Sequence, residues 1–164
     1  MEIRQLTLQD VEERFLELMA DIETGDSFDF ADPQWVGWLK RKIARRWGAG
    51  AQFYGLFAAD EPIGLLGLII DDHPYFAGRS ELVDLGVMPT HRRAGHGTRL
   101  LKYAEQLSRE AGVVCMYIST YAGDTQNITF YGQNGFAPVA TLPDFYGVND
   151  EGQVYMRKRL MGEK

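Results

Sequence analysis

The stretch Val87-Met88-Pro89-Thr90-His91-Arg92-Arg93-Ala94-Gly95-His96-Gly97-Thr98-Arg99-Leu100-Leu101 constrains the chain more than any other. It leaves an apolar strand pattern at about 81–88, crosses a glycine-bearing loop and enters a helix marked by Leu100, Leu101, Ala104 and Leu107 at helical spacing. Ala111-Gly112 closes that helix, and a second strand pattern at 113–120 follows at once. Strand, helix and strand in this order predict a crossover that lays the two strands parallel. Upstream, 52–59 and 62–70 flank the tight turn Ala59-Asp60-Glu61-Pro62 and read as an antiparallel hairpin. Both strand relations in one chain predict an α/β fold with a mixed sheet and helices on both faces.

The remaining elements fit around this unit. A short strand at 3–6 precedes Thr7-Leu8-Gln9-Asp10, a helix-start pattern followed by Val11, Phe15, Met19 and Ile22 on one face. Asp32 and Pro33 open a second helix in which Trp35, Val36, Leu39 and Ile43 mark the buried face and Lys40, Arg41, Arg45 and Arg46 the solvated one. Asp124 or Thr125 caps a short helix ending near Asn134-Gly135, and strands at 137–142 and 153–159 complete the chain. At 164 residues, without repeats or a linker, the expectation is one domain, 1–164, with one site.

Where the crossover loop meets its helix, the first backbone N–H groups lack partners and the positive end of the helix dipole faces outward, which suits phosphate. Gly95 and Gly97 allow a phosphate to approach the backbone. A Walker loop would require Gly-Lys-Ser/Thr, and a dinucleotide fingerprint a third glycine near Leu100; neither is present. What remains, Arg92-x-x-Gly95-x-Gly97, resembles the pyrophosphate-binding Q/R-x-x-G-x-G/A motif of the GNAT acetyltransferases. Val87-Met88-Pro89 is similar to the V-x-P that precedes that motif, and Phe130-Tyr131-Gly132-Gln133-Asn134-Gly135-Phe136 to the family's F-Y-x-x-x-G-F.

The resemblance implies a central mixed, twisted sheet of about seven strands and an N-acetyltransferase that uses acetyl-CoA, without a metal, to acetylate the amine of a small molecule, peptide or protein. It implies backbone contacts to the pantetheine arm at Leu85 and Val87. It places pyrophosphate contacts along Arg92, Arg93, Ala94, Gly95, His96, Gly97 and Thr98. Asn127 or Asp124 would approach the arm. Tyr131 matches the family tyrosine that protonates the departing thiolate or hydrogen-bonds the coenzyme sulfur. A coenzyme-A-binding module with little turnover is the alternative.

An amine acceptor must be unprotonated to attack, so a proton acceptor is sought. Asp84 and Glu81, on the strand before the motif, are the two candidates, and strict alternation sends them to opposite faces. The acidic, aromatic stretch 26–32, with Asp29 and Phe30, and Tyr146 in the loop before the last strand are candidates for acceptor binding. His73 in Asp71-Asp72-His73-Pro74-Tyr75 lacks the ligand set of a metal site. Cys115, the single cysteine, sits in an apolar strand and reads as a packed thiol.

A net charge of -6 argues against a non-specific nucleic-acid binder and is compatible with a cationic substrate. The start lacks a secretory signal and no apolar run approaches a membrane span, so a cytoplasmic location without membrane attachment is expected. A homodimer is compatible with this reading.

Overall fold

A computed structural model describes residues 1–71, 75 and 78–161. His73 and its neighbours Asp72 and Pro74 lie outside the described residues. The elements are β1 (Glu2–Gln5), α1 (Leu8–Arg14), α2 (Leu16–Thr24), α3 (Pro33–Gly48), β2 (Gln52–Ala58), β3 (Glu61–Asp71), β4 (Arg79–Val87), α4 (His96–Glu110), β5 (Cys115–Tyr121), α5 (Thr125–Gln133), β6 (Ala137–Leu142) and β7 (Gln153–Arg159). The strands hydrogen-bond in the order β1-β2-β3-β4-β5-β7-β6. β4 and β5 are parallel, as the crossover requires, whereas β1–β2, β2–β3, β5–β7 and β6–β7 are antiparallel, so the expected mixed seven-stranded sheet is present.

The chain divides into two compact units, Met1–Ile69 with Val83–Ala104, and Ile70–Leu82 with Glu105–Lys164. In the first, Val11, Phe15, Leu18, Met19, Leu39, Ile43, Phe53 and Leu65 form a core without solvent exposure. Phe53 stacks on Trp47 of α3 and its neighbour Tyr54 meets Tyr103 of α4 edge-on, so helices cover both faces of β2. The β2–β3 hairpin closes with Ala58 opposite Glu61, and Ala59 and Asp60 both take positive φ, 46° and 70°. In the second unit, β4 and β5 pair from Arg79↔Cys115 to Leu82↔Ile118, and β7 lies between β5 and β6.

Three expectations need correction. The first helix is two: Phe15 has φ −120° and ψ 8°, which interrupts the ladder between α1 and α2 while keeping Val11, Phe15 and Met19 buried. Strand β5 alternates: Met116 and Ile118 are buried, whereas Cys115 is half-buried. Arg46 does not belong to the solvated side of α3. It follows Leu39 and Ile43 by seven and three residues, positions that share one helix face, and its side chain is only 21% exposed.

Candidate active site

The loop after β4 and the first turn of α4 belong to the first unit. Arg93 and Gly95 are in the left-handed region, at φ 65° and 79°, and Gly95 O accepts the first helical bond, from Arg99 N at 3.0 Å. The N–H groups of His96, Gly97 and Thr98 therefore begin the helix without i−4 acceptors. A side chain built on Gly95 would meet no atom within 4 Å, so the concavity is open there, and glycine is needed for its φ rather than for space. Helix-start N–H groups without i−4 acceptors, beside two left-handed residues, suit an anion such as pyrophosphate. His96 is buried; Arg93 and Ala94 are exposed, and Gly97 and Thr98 half-buried.

Arg92 has two partners within the protein. Its Nε donates to Val87 O at 2.9 Å and its Nη2 donates to Asp21 of α2, which fastens the loop to the strand it leaves and to a helix. Val87 O thus already accepts one bond. Leu85 and Val87 are half-buried on the C-terminal half of β4, and pairing with β5 ends before them, at Leu82↔Ile118.

Asp84 is the most unusual residue of the site. Its side chain has no exposure, its Oδ1 accepts from Arg46 Nη1, and its Oδ2 has no hydrogen-bond partner. The same Arg46 Nη1 reaches Glu23 Oε1 of α2 at 2.7 Å, and Lys42 Nζ pairs with Glu23 Oε2. A side chain added at Gly67 of β3 would come within 2.9 Å of Asp84 Oδ2, and within 3.0 Å of Phe53. Burial pushes the Asp84 carboxyl up to about 7; Arg46 and Lys42 oppose that rise and Glu23 adds to it. Glu81, by contrast, is exposed on the N-terminal half of β4.

A cleft of about 500 Å³ also lies in the first unit. Glu12, Glu13, Glu17 and Glu61 give it four carboxylates, and Phe30 and Met88 contribute apolar walls. Arg14, the one basic residue on its lining, donates to Asp60 O at 2.7 Å. Of the two acceptor candidates in 26–32, Phe30 lines this cleft and is 48% exposed, whereas Asp29 Oδ1 accepts from Ala31 N at 2.8 Å within its own turn. The glutamates on α1 and α2 were not among the sequence candidates, because alternating charge on a helix reads as a solvated face.

In the second unit Tyr131 is buried on α5 among Phe130 and Phe136, with ring centroids 5.2 and 5.8 Å away. Asp124 caps α5: its Oδ1 accepts from Asn127 N at 2.9 Å and its Oδ2 from Asn127 Nδ2 at 2.8 Å. The two residues between which the sequence left the choice open are therefore bonded to each other. Tyr146 is 59% exposed, packs against Tyr121 and bonds Gln153. No group of three or more metal-ligating side chains occurs among the described residues.

Residues 13–136, most of the chain, match the model of the acetyltransferase (GNAT) family. Among solved structures, an aminoglycoside 6'-acetyltransferase type Ii shares 22% identity over all of both chains with a TM-score of 0.75. PaiA N-acetyltransferase from Thermoplasma acidophilum, solved with coenzyme A, shares 23% identity over 96% of this chain and 98% of its own, at a TM-score of 0.71. The ribosomal-protein-S18-alanine N-acetyltransferase from Escherichia coli shares 19% over 99% and 96%, at 0.73. A sequence comparison with curated proteins gave no match.

Proposed function

The chain belongs to the GNAT acetyltransferase family, and from that premise we propose that it transfers the acetyl group of acetyl-CoA directly to a cationic amine bound in the acidic cleft of the first unit. The observation that carries this reading is the loop-to-helix junction, where left-handed Arg93 and Gly95 precede the free N–H groups of His96, Gly97 and Thr98. Acetyl-CoA supplies the activated acetyl group and the thiol leaving group. The junction binds its pyrophosphate, with Arg92 holding the loop in place, and the backbone at Leu85 and Val87 receives the pantetheine arm.

Asp84 receives the proton of the acceptor ammonium through water, at Oδ2, the oxygen left without a hydrogen-bond partner, because its side chain has no exposed surface for direct contact with the amine. A carboxyl near 7 is matched to this task at neutral pH, whereas a solvated aspartate would be too weak a base. The new C–N bond forms as the C–S bond breaks, Tyr131 gives its hydroxyl proton to the departing sulfur, and the second proton that the nitrogen sheds as the amide forms restores the Tyr131 hydroxyl. Glu81, exposed, is assigned no proton-transfer role. The four cleft carboxylates favour an acceptor with more than one positive charge, and Phe30 gives its carbon skeleton an apolar wall. The structural relatives include an aminoglycoside 6'-acetyltransferase and a ribosomal-protein-S18-alanine N-acetyltransferase, so acceptors of both small-molecule and protein kinds are represented among them. The single cysteine, half-buried, fits a reducing cytoplasmic setting.

The test is a panel of monoamines, polyamines, aminoglycosides and peptides with acetyl-CoA, in which free thiol and acetylated product are both measured at low and high salt. Polycationic acceptors are expected to give product with a KM that rises several-fold with salt, as screening weakens attraction to the cleft. Coenzyme binding without product from any amine would make the chain a binding module.

A further inference from the structure

Asp84 does not stand alone: Arg46 joins it to Glu23, and Glu23 pairs in turn with Lys42, the two carboxylates being more buried than the two cations. Asp84 has 0% side-chain exposure, Glu23 9%, Arg46 21% and Lys42 30%. Arg46 is the hinge of this group, because one nitrogen, Nη1, serves Asp84 Oδ1 and Glu23 Oε1 together. Glu23 of α2 thereby anchors the guanidinium that donates to Asp84 on β4. Lys42, one helical turn before Arg46 on α3, holds the other oxygen of Glu23.

We infer that Arg46 is a positioning residue for acetyl transfer, aiming the Asp84 carboxylate from α3 and itself held in place by Glu23. The inference rests on the reading of Asp84 as proton acceptor. By taking Oδ1, Arg46 leaves Oδ2 as the oxygen available for a proton, and β3 keeps it so: Gly67, whose missing side chain would reach Oδ2, presents neither donor nor bulk there. Phe53 and Val83, both uncharged, also border the space at Gly67 next to Oδ2, and the charges that act on the carboxyl come from two helices. The charged groups that act on Asp84 are thus Arg46 and Lys42 from α3 and Glu23 from α2.

This arrangement makes predictions of opposite sign for two neighbouring substitutions. Removing the cation in Arg46→Gln disfavours the ionised carboxylate, so Asp84 should titrate at higher pH. Removing the like charge in Glu23→Gln favours ionisation and frees Arg46 for Asp84 alone, so the midpoint should fall. Each shift is expected to be about one pH unit. A merely structural role, in which either substitution loosens the α2–α3 packing, would move both midpoints in the same direction or neither.

The experiment follows the Asp84 side-chain carboxyl by carbon-13 NMR through a pH titration in the full chain, assigned against Asp84→Asn, alongside the pH dependence of kcat/KM on one amine. The expected result is an upward shift in Arg46→Gln, a downward shift in Glu23→Gln, near-native behaviour in Arg46→Lys, and an acid limb of kcat/KM that follows each. Stationary midpoints, or shifts of one sign in both variants, overturn the inference. If Arg46→Gln does not fold, Glu23→Gln decides alone: a lower midpoint supports the inference and an unchanged or higher one overturns it. A native pH profile in Asp84→Asn would overturn the assignment of Asp84 as proton acceptor, and the carboxyl titration would then decide separately whether Arg46 aims it.

Discussion

At the scale of single residues, two opposed demands meet at Asp84. Burial alone would keep its carboxyl neutral, and the guanidinium partner would keep it ionised; desolvation prevails and Arg46 limits it, which leaves the group near 7. Since the base works in its ionised form, kcat/KM on a cationic amine should rise with pH through a midpoint near 7, and Asp84→Asn should lower it by about 10²-fold and remove that limb. A pH series on both proteins checks this. Gly97 offers a second test. Glutamate in the first turn of a helix is favoured by the dipole and by propensity, so Gly97→Glu should fold as well as the parent. Its charge would stand where the pyrophosphate binds, so calorimetric titration should find acetyl-CoA affinity lost. The sequence identified Asp84 as a candidate by its strand position. The burial that raises its carboxyl was not legible, because it depends on Arg46, Glu23 and Gly67, which lie 38, 61 and 17 residues away.

Among the elements, those set by local chemistry were legible and those set by packing were not. Asp32 and Pro33 announced α3 correctly, and Asp32 Oδ1 accepts from Gln34 N at 2.8 Å as a cap should. The break at Phe15 was hidden, since the apolar spacing of Val11, Phe15 and Met19 continues through it. The misreading of Arg46 has a similar origin: a cation on a helix is taken as solvated unless a carboxylate on another element is known to await it, although its spacing from Leu39 and Ile43 placed it on the buried face. On α5, the Asp124–Asn127 cap fixes the start of the helix that carries Tyr131. Asp124→Ala should cost about 1 kcal/mol of stability, which a denaturant titration would measure, whereas Asp124→Asn should retain most of it. An unchanged midpoint in the alanine variant would show that this cap contributes nothing to α5.

At the scale of the whole molecule, the crossover from β4 through α4 to β5 and the hairpin of β2 and β3 were readable from periodicity and turns, and they settle the mixed sheet. The acidic cleft was not, because Glu12, Glu13, Glu17 and Glu61 come from two helices and a strand and converge only in the fold. The net charge of -6 was a faint indication of it. The loop-to-helix junction is local and the acidic cleft is not, and this is why the family resemblance was legible and a candidate acceptor site was not. The most direct test of acetyl transfer is a labelled-acetyl experiment: acetyl-CoA carrying an isotopic acetyl group is mixed with the protein and a polyamine, and the amine, the free thiol and the intact protein are weighed by mass spectrometry. One labelled acetyl-amine per thiol released, with no label on the protein, is the predicted result. Thiol release without labelled amine, or label retained on Cys115, would contradict direct transfer to the acceptor.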